Sequence, residues 1–178
     1  MNCNRIMLLT IVTLSFTILN SEDITAQNGF QEKKVGHVYH VSIPDYMTKS
    51  YKLNDAASLQ YLNAAKETYV IVIEDSKDHL LEAGIPFKDP EEFYDHFEQT
   101  FIDNTSDVSP KHALTINGYP AVQVEITKPF DQFNVHYLVT VIESDTHFYK
   151  MLAWTIEDYK EKYLADFKRI ASSFREGS

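Results

Sequence analysis

The stretch NDAASLQYLNAAKETYVIVIED, Asn54 to Asp75, decides the fold. Its first half is rich in alanine, the strongest helix former. Its second half, from Tyr69, is β-branched and aromatic and reads as a strand. If the first half is also extended, the segment is a hairpin inside a sheet. If it is helical, the sheet starts only at Tyr69. The polar residues Asn54, Asp55, Ser58 and Gln60 carry a parallel ambiguity. A polar loop beside a strand can rim a small binding cleft, and the same residue types build turns through side-chain to backbone hydrogen bonds. These four are the candidate binding residues.

Working outward, strand patterns dominate. Val35 to Ile43 alternates, with His37, Tyr39, Val41 and Ile43 on one face, and Pro44-Asp45 ends it. Asn117-Gly118 is a strong hairpin signal, because the tight turn needs positive φ at both residues. It joins Lys111–Ile116 to Tyr119–Thr127, where Val122, Val124 and Ile126 face inward and Gln123, Glu125 and Thr127 outward. Phe133 to Glu143 and His147 to Thr155 follow, joined around Asp145-Thr146.

Helices are marked as clearly. Asp89-Pro90-Glu91-Glu92 supplies an N-cap, a proline at the first helical position and acids in the first turn. Phe93, Tyr94, Phe97 and Phe101 then form one apolar stripe. Tyr159, Tyr163, Phe167, Ile170 and Phe174 form a second near the C-terminus, and Ser76 to Ala83 reads as a short third helix. The strands YVIVI, HYLVTVI and FYKMLAWTI are apolar on both faces, so both faces need cover. The expected class is α+β: an antiparallel β-sheet sandwiched between helices, an α/β/α sandwich.

The N-terminus carries Arg5 and then an apolar run from Ile6 to Leu19. That run is shorter than the ~20 residues of a spanning helix and fits the core of a secretory signal. Cleavage is expected after Ala26, with Ser21 as the alternative, leaving residues 27–178 as one domain, periplasmic or secreted. The single cysteine, Cys3, falls inside the signal. The mature chain then has no thiol nucleophile, thiolate metal site or disulfide. The net charge of −10 disfavours nucleic acid and anionic membrane surfaces. No stable membrane insertion is expected after cleavage.

Chemistry-bearing motifs are sparse. Seven histidines are present, but without an H-E-x-x-H pair. His136 and His147 on adjoining strands fall opposite Thr155 and Ser144, too far apart to share an ion. His79 and His96 sit at ordinary helical i, i+4 spacings from acids. No metal site and no cofactor are expected. There is neither a G-x-S-x-G elbow nor a glycine-rich phosphate cradle. Eleven tyrosines, eleven phenylalanines and one tryptophan fit either a stacking platform or a core. Trp154 shares a strand face with Phe148, Leu152 and Ile156, which points to the core. The resulting expectation is an exported, non-catalytic binding or adaptor domain for an unknown protein or small-molecule ligand. The alternative is an envelope hydrolase of glycans or peptides with a dispersed active site.

The segments YHVSIPD (Tyr39–Asp45), INGYPAVQVE (Ile116–Glu125) and FYKMLAWT leading to YLADFKRIASSF (Phe148–Phe174) together resemble the PsbP-like fold, shared with the periplasmic DcrB-like proteins. The resemblance covers most of the mature chain and rests on strand and turn signatures. It implies that the alanine-rich segment is a strand, hairpinned near Ala65-Lys66 onto TYVIVIED. It implies extrinsic subunits or adaptors, and it supplies no catalytic residue.

Overall fold

The computed structural model describes residues 29–36 and 38–177. The expected signal segment and His37 lie outside the described residues. In chain order the elements are β1 (Phe30–Val35), β2 (Tyr39–Pro44), β3 (Thr48–Lys49), β4 (Leu59–Asn63), β5 (Thr68–Ser76), α1 (Lys77–Glu82), α2 (Pro90–Phe101), β6 (Asp107–Val108), β7 (His112–Ile116), β8 (Tyr119–Phe130), β9 (Phe133–Glu143), β10 (His147–Ile156), α3 (Lys160–Ser172) and β11 (Arg175–Glu176).

The deciding segment is a hairpin. Leu59–Asn63 pairs antiparallel with Thr68–Val72, and Ala64–Lys66 closes the turn as one 3-10 loop. Asn63 holds that loop: its side-chain oxygen accepts from the Lys66 amide at 3.0 Å, and its amide donates to the Tyr46 carbonyl at 2.6 Å. Alanine's helix propensity is a weak prior, and pairing with the apolar β5 overrides it.

The main sheet has the order β3-β4-β5-β10-β9-β8-β6, with β7 also on β8, and its pairings are antiparallel. The Asn117-Gly118 turn forms as expected, with φ of 49° and 94°. Strand alternation then splits the apolar residues into two cores. Val70, Val72, Leu138, Ile142, Tyr149 and Met151 pack with Tyr163, Phe167 and Ile170 of α3 and with Tyr39, Val41 and Ile43 of β2. Ile71, Val122, Val124, Val139, Phe148 and Leu152 face the other way and pack with Phe93 and Tyr94 of α2. The chain is thus α+β and mostly antiparallel sheet. The first of these faces meets more than a helix: the small sheet β1-β2-β11 shares it with α3.

That small sheet corrects one expectation. The alternating run from Val35 to Ile43 is not one strand. Gly36 takes a left-handed φ of 55°, the chain folds back, and Val35 pairs with Tyr39. The buried face of Tyr39, Val41 and Ile43 is as expected. The partner β1, FQEKKV, is an edge strand whose charges look like solvated loop in sequence and suit an edge. Helix α2 begins as its sequence dictates. Asp89 accepts from the Glu92 amide at 2.9 Å, a cap worth about 1 kcal/mol, and Pro90 starts the helix.

Candidate functional site

The structure places the four sequence-derived candidates around one loop. Gln60 is buried, and its side-chain oxygen accepts from the amides of Leu53 (2.8 Å) and Asn54 (3.2 Å). Its amide donates to the carbonyl of Asn54 at 2.6 Å. Asn54 in turn accepts from the Ala56 amide at 2.8 Å, a side-chain turn. Ser58 and Gln60, two residues apart, reach different neighbours. Ser58 Oγ lies 2.8 Å from the Tyr39 hydroxyl and donates to the Val72 carbonyl. The reason is that pairing of β4 begins only at Leu59. Asp55 is exposed. Gln60→Leu would leave the Leu53 and Asn54 amides without partners, while the Asn54 carbonyl keeps the Ala57 amide, so it should cost about 1–3 kcal/mol in denaturant melts. A neutral result would show that the loop does not depend on this amide.

A concave surface lies elsewhere. Strand register sets Tyr137, Trp154 and Tyr69 side by side across β9, β10 and β5. Trp154 stacks on Tyr69 at 5.2 Å between centroids and 12° between planes, and on Tyr137 at 5.9 Å and 29°. Helix α2 covers this face only as far as Phe101, whose ring stands edge-on to Tyr137 at 5.1 Å. Beyond that point the row is partly exposed. Trp154 has the face expected of it and packs against the second core, but it is only partly buried. The β8–β9 hairpin supplies a wall: Phe130 and Phe133 are 67% and 59% exposed. Together these residues line a cleft of about 310 Å³ with Val135 and Ile156, and Glu67 and Asp131 also line it.

Local chemistry fixes this wall and rim. Phe130 pairs with Phe133 across Asp131-Gln132, and Asp131 takes the left-handed φ of 53° that Asp tolerates. Glu67 also sits left-handed, at 50°, where the β4–β5 loop ends. It accepts from the Tyr69 hydroxyl at 2.8 Å. Burial and that bond push the Tyr69 hydroxyl up to about 12, so it stays protonated and donating. Sequence reasoning missed Phe130 and Phe133. The available signal was PFDQF: two phenylalanines flanking an Asp-centred turn have nothing beyond the hairpin tip to bury them.

The opposite face of the sheet holds a polar row instead. Buried His136 lies with Nδ1 3.0 Å from the Thr127 hydroxyl and pairs across strands with Thr155, as expected. Its Nε2 is 3.5 Å from Glu125. Glu125 receives the ammonium groups of Lys160 (2.9 Å) and Lys168 (3.2 Å). Burial, and next the Lys160 charge, hold His136 below its ordinary value near 6.5, against the pull of Glu125, Glu157 and Glu161. Burial raises the Glu125 carboxyl, but the two lysines outweigh it and leave it lowered. A histidine depressed in the fold stabilises it fully above pH 6.5, and that contribution is lost as pH falls from 6.5 through the folded value. The melting temperature should therefore start to fall below pH 6.5, and His136→Gln should flatten that part of the curve. Parallel curves for variant and wild type would place the titration elsewhere. Lys150 is a second perturbed group: burial lowers it, and it lies 4.9 Å from the Phe97 ring centre and 5.5 Å from that of Phe93.

Among the described residues no helix is long and apolar enough to cross a membrane. No family model matches the sequence, and no curated protein does. Solved structures do match. The solution structure of cyanobacterial PsbP (CyanoP) from Synechocystis sp. PCC 6803 superposes with a TM-score of 0.62 at 16% identity, covering 89% of this chain and 98% of that one. LpqN, involved in cell envelope biogenesis of Mycobacterium tuberculosis, gives 0.54 at 12% identity, over 85% of this chain and 93% of the other. The strand order, the two cores and these superpositions agree: the chain has a PsbP-like fold.

Proposed function

We propose that this protein is an exported, non-catalytic binding domain whose ligand enters the cleft between Tyr69, Trp154, Phe130 and Phe133. The observation that carries this is the pair of exposed phenylalanines beside a partly exposed row of stacked rings. Burying a side chain of this size is worth about 1.5–3 kcal/mol. Leaving two exposed at one hairpin tip forgoes that stabilisation unless something else covers them. The titratable groups that line the cleft, Glu67, Asp131 and Tyr69, suit binding more than acid–base catalysis, since Glu67 and Tyr69 are bonded to each other. Asn54, Ser58 and Gln60 shape the neighbouring loop rather than touch the ligand. The signal-like N-terminus and the envelope role of the LpqN neighbour support export. The two cores, one against α2 and one against α3, support a sheet sandwiched between helices.

The test uses Trp154, the single tryptophan of the chain, as a built-in reporter. Sugars, peptides and lipid headgroups are titrated while its emission is followed. Phe130→Ser with Phe133→Ser should leave stability within about 0.5 kcal/mol, as for surface positions, and abolish any ligand response. A loss of several kcal/mol would make the two rings structural and remove the reason for the proposal.

A further inference from the structure

A separate hollow of about 250 Å³ lies between the main sheet, α2 and the segment that joins α1 to α2. Its apolar walls are Leu80, Ile85, Phe87, Phe93 and Phe97, and Lys150 and Asp75 also line it. We infer that this hollow binds a free α-amino acid with an apolar side chain. Lys150 receives the carboxylate, Asp75 receives the ammonium group, and the aromatic walls take the side chain. The site is distinct from the aromatic cleft and does not depend on it.

The first ground is Lys150. It occupies a core position of β10, between Ile73 and Val141 of the neighbouring strands and on the face that carries Phe148 and Leu152. Lys77, Lys111, Lys160 and Lys168 each meet a carboxylate. Lys150 makes neither an ion pair nor a hydrogen bond, and burial holds it below the ordinary lysine value against the pull of Asp75. Its ammonium lies 4.9 Å from the centre of Phe97 and 5.5 Å from that of Phe93. Those rings offset part of the cost of burying the charge. A ligand carboxylate would offset far more, through charge-assisted hydrogen bonds to the three N–H donors.

The second ground is Asp75. It faces Phe148 across β5 and β10, so Lys150 is its diagonal neighbour on the same face, at a backbone spacing of ~7–8 Å. The two charges share the hollow without forming an ion pair. A plain carboxylic acid set against Lys150 would be repelled by Asp75, and a plain amine set against Asp75 would be repelled by Lys150. An α-amino acid carries both charges on one carbon and answers both groups. His96 and Thr100, both exposed, stand at the rim, and the Thr100 hydroxyl already donates to the Phe97 carbonyl at 3.1 Å.

The third ground is the wall. Phe87 stands edge-on to Phe93 at 5.1 Å and 82°, which makes an angled apolar corner. Ile85 beside it is 44% exposed. A ligand side chain seated there removes from water apolar surface that the chain itself leaves open. The volume lies just below the ~300–1,000 Å³ of larger ligand sites, which suits one amino acid and not a longer peptide.

The experiment is isothermal titration calorimetry of the purified protein with L-leucine. Leucinamide, which lacks the carboxylate, and N-acetyl-leucine, which lacks the ammonium charge, are titrated in parallel. Leucine should bind saturably, and each analogue at least about tenfold more weakly, as expected for the loss of one charge-assisted hydrogen bond. Lys150→Met, similar in length and uncharged, should weaken leucine by about tenfold and leave leucinamide unmoved. Asp75→Asn should weaken leucine likewise and leave N-acetyl-leucine unmoved. The analogues on the unaltered protein decide the question even where a variant fails to fold. Equal affinity for leucine and both analogues, no saturable heat with leucine, or full leucine affinity in Lys150→Met overturns the inference. A leucine response that survives Lys150→Met but is lost in Phe130→Ser with Phe133→Ser also overturns it, and supports the aromatic cleft instead.

Discussion

Phe174→Ala is expected to cost about 3–5 kcal/mol, the range for removing a fully buried phenylalanine. Phe174 is fully buried, although it follows the last helix and stands near the C-terminus. Its ring touches three others: Tyr149 at 4.7 Å, Tyr39 at 5.7 Å and Tyr119 at 5.8 Å between centroids. These belong to β10 of the main sheet, β2 of the small sheet and the start of β8. Its carbonyl accepts from the Asn117 side chain at 2.7 Å, which ties the β7–β8 turn to the same point. Just beyond, β11 pairs with β2. Glu176 then accepts from Ser144 (2.7 Å), Thr146 (3.1 Å) and Tyr149 (2.9 Å).

Removing the ring thus opens a cavity where both sheets and the tail meet. Domains of this kind carry ~5–15 kcal/mol in total, so the variant should sit close to unfolding at ambient temperature. Urea melts give the loss. Hydrogen exchange should show β1 and β2 losing protection first, since they depend on this contact more than the central strands do. Phe174→Leu should recover much of the loss. A cost below about 1 kcal/mol would mean the surroundings collapse onto the gap, and the two sheets would not depend on this ring.

Much of this fold was legible where it rests on local chemistry. Asp89-Pro90 fixes the start of α2 through φ and one capping bond. Asn117-Gly118 fixes a hairpin through positive φ. The limits of β9 and the start of β10 followed from apolar runs between turns. The misses share one physical cause: they depend on partners distant in sequence. β1 is charged and becomes a strand only because β2 lies beside it. Gly36 breaks an alternating run that continues in pattern on both sides. The exposure of Trp154 was invisible because strand parity assigns a face and not a cover. Cover depends on where α2 stops, and α2 stops at Phe101, against Tyr137. Of the proposed cleft, the sequence showed only an abundance of aromatics, which suits a stacking platform and a core alike. The hydrogen bonds that Asn54 and Gln60 make within the polar loop were not legible, because Asn, Asp and Ser favour clefts and turns alike.

Phe148→Ala tests the other layer with the same chemistry. Phe148 is buried, at 1% exposure, on the face of β10 that meets α2. It stacks on Phe93 at 4.8 Å and 13°, stands edge-on to Phe87 at 6.2 Å, and carries Lys77 Nζ 5.0 Å from its ring centre. The truncation should again cost about 3–5 kcal/mol, of which about 0.5–1.5 kcal/mol belongs to ring–ring geometry beyond area. The distribution of the damage should differ. Phe93 loses its partner, so the first half of α2 should exchange its amides faster, while Phe101 still stands on Tyr137 and holds the far end. Protection in β1 and β2 should be unchanged, because they belong to the other core. Trp154 emission should also be unchanged, since its neighbours in the row are Tyr69 and Tyr137. That last result matters for function: a cleft that keeps its optical signature while α2 loosens is built on the sheet alone. A shift of Trp154 emission in Phe148→Ala would instead show that α2 sets the cleft, and ligand binding would then be coupled to the seating of that helix.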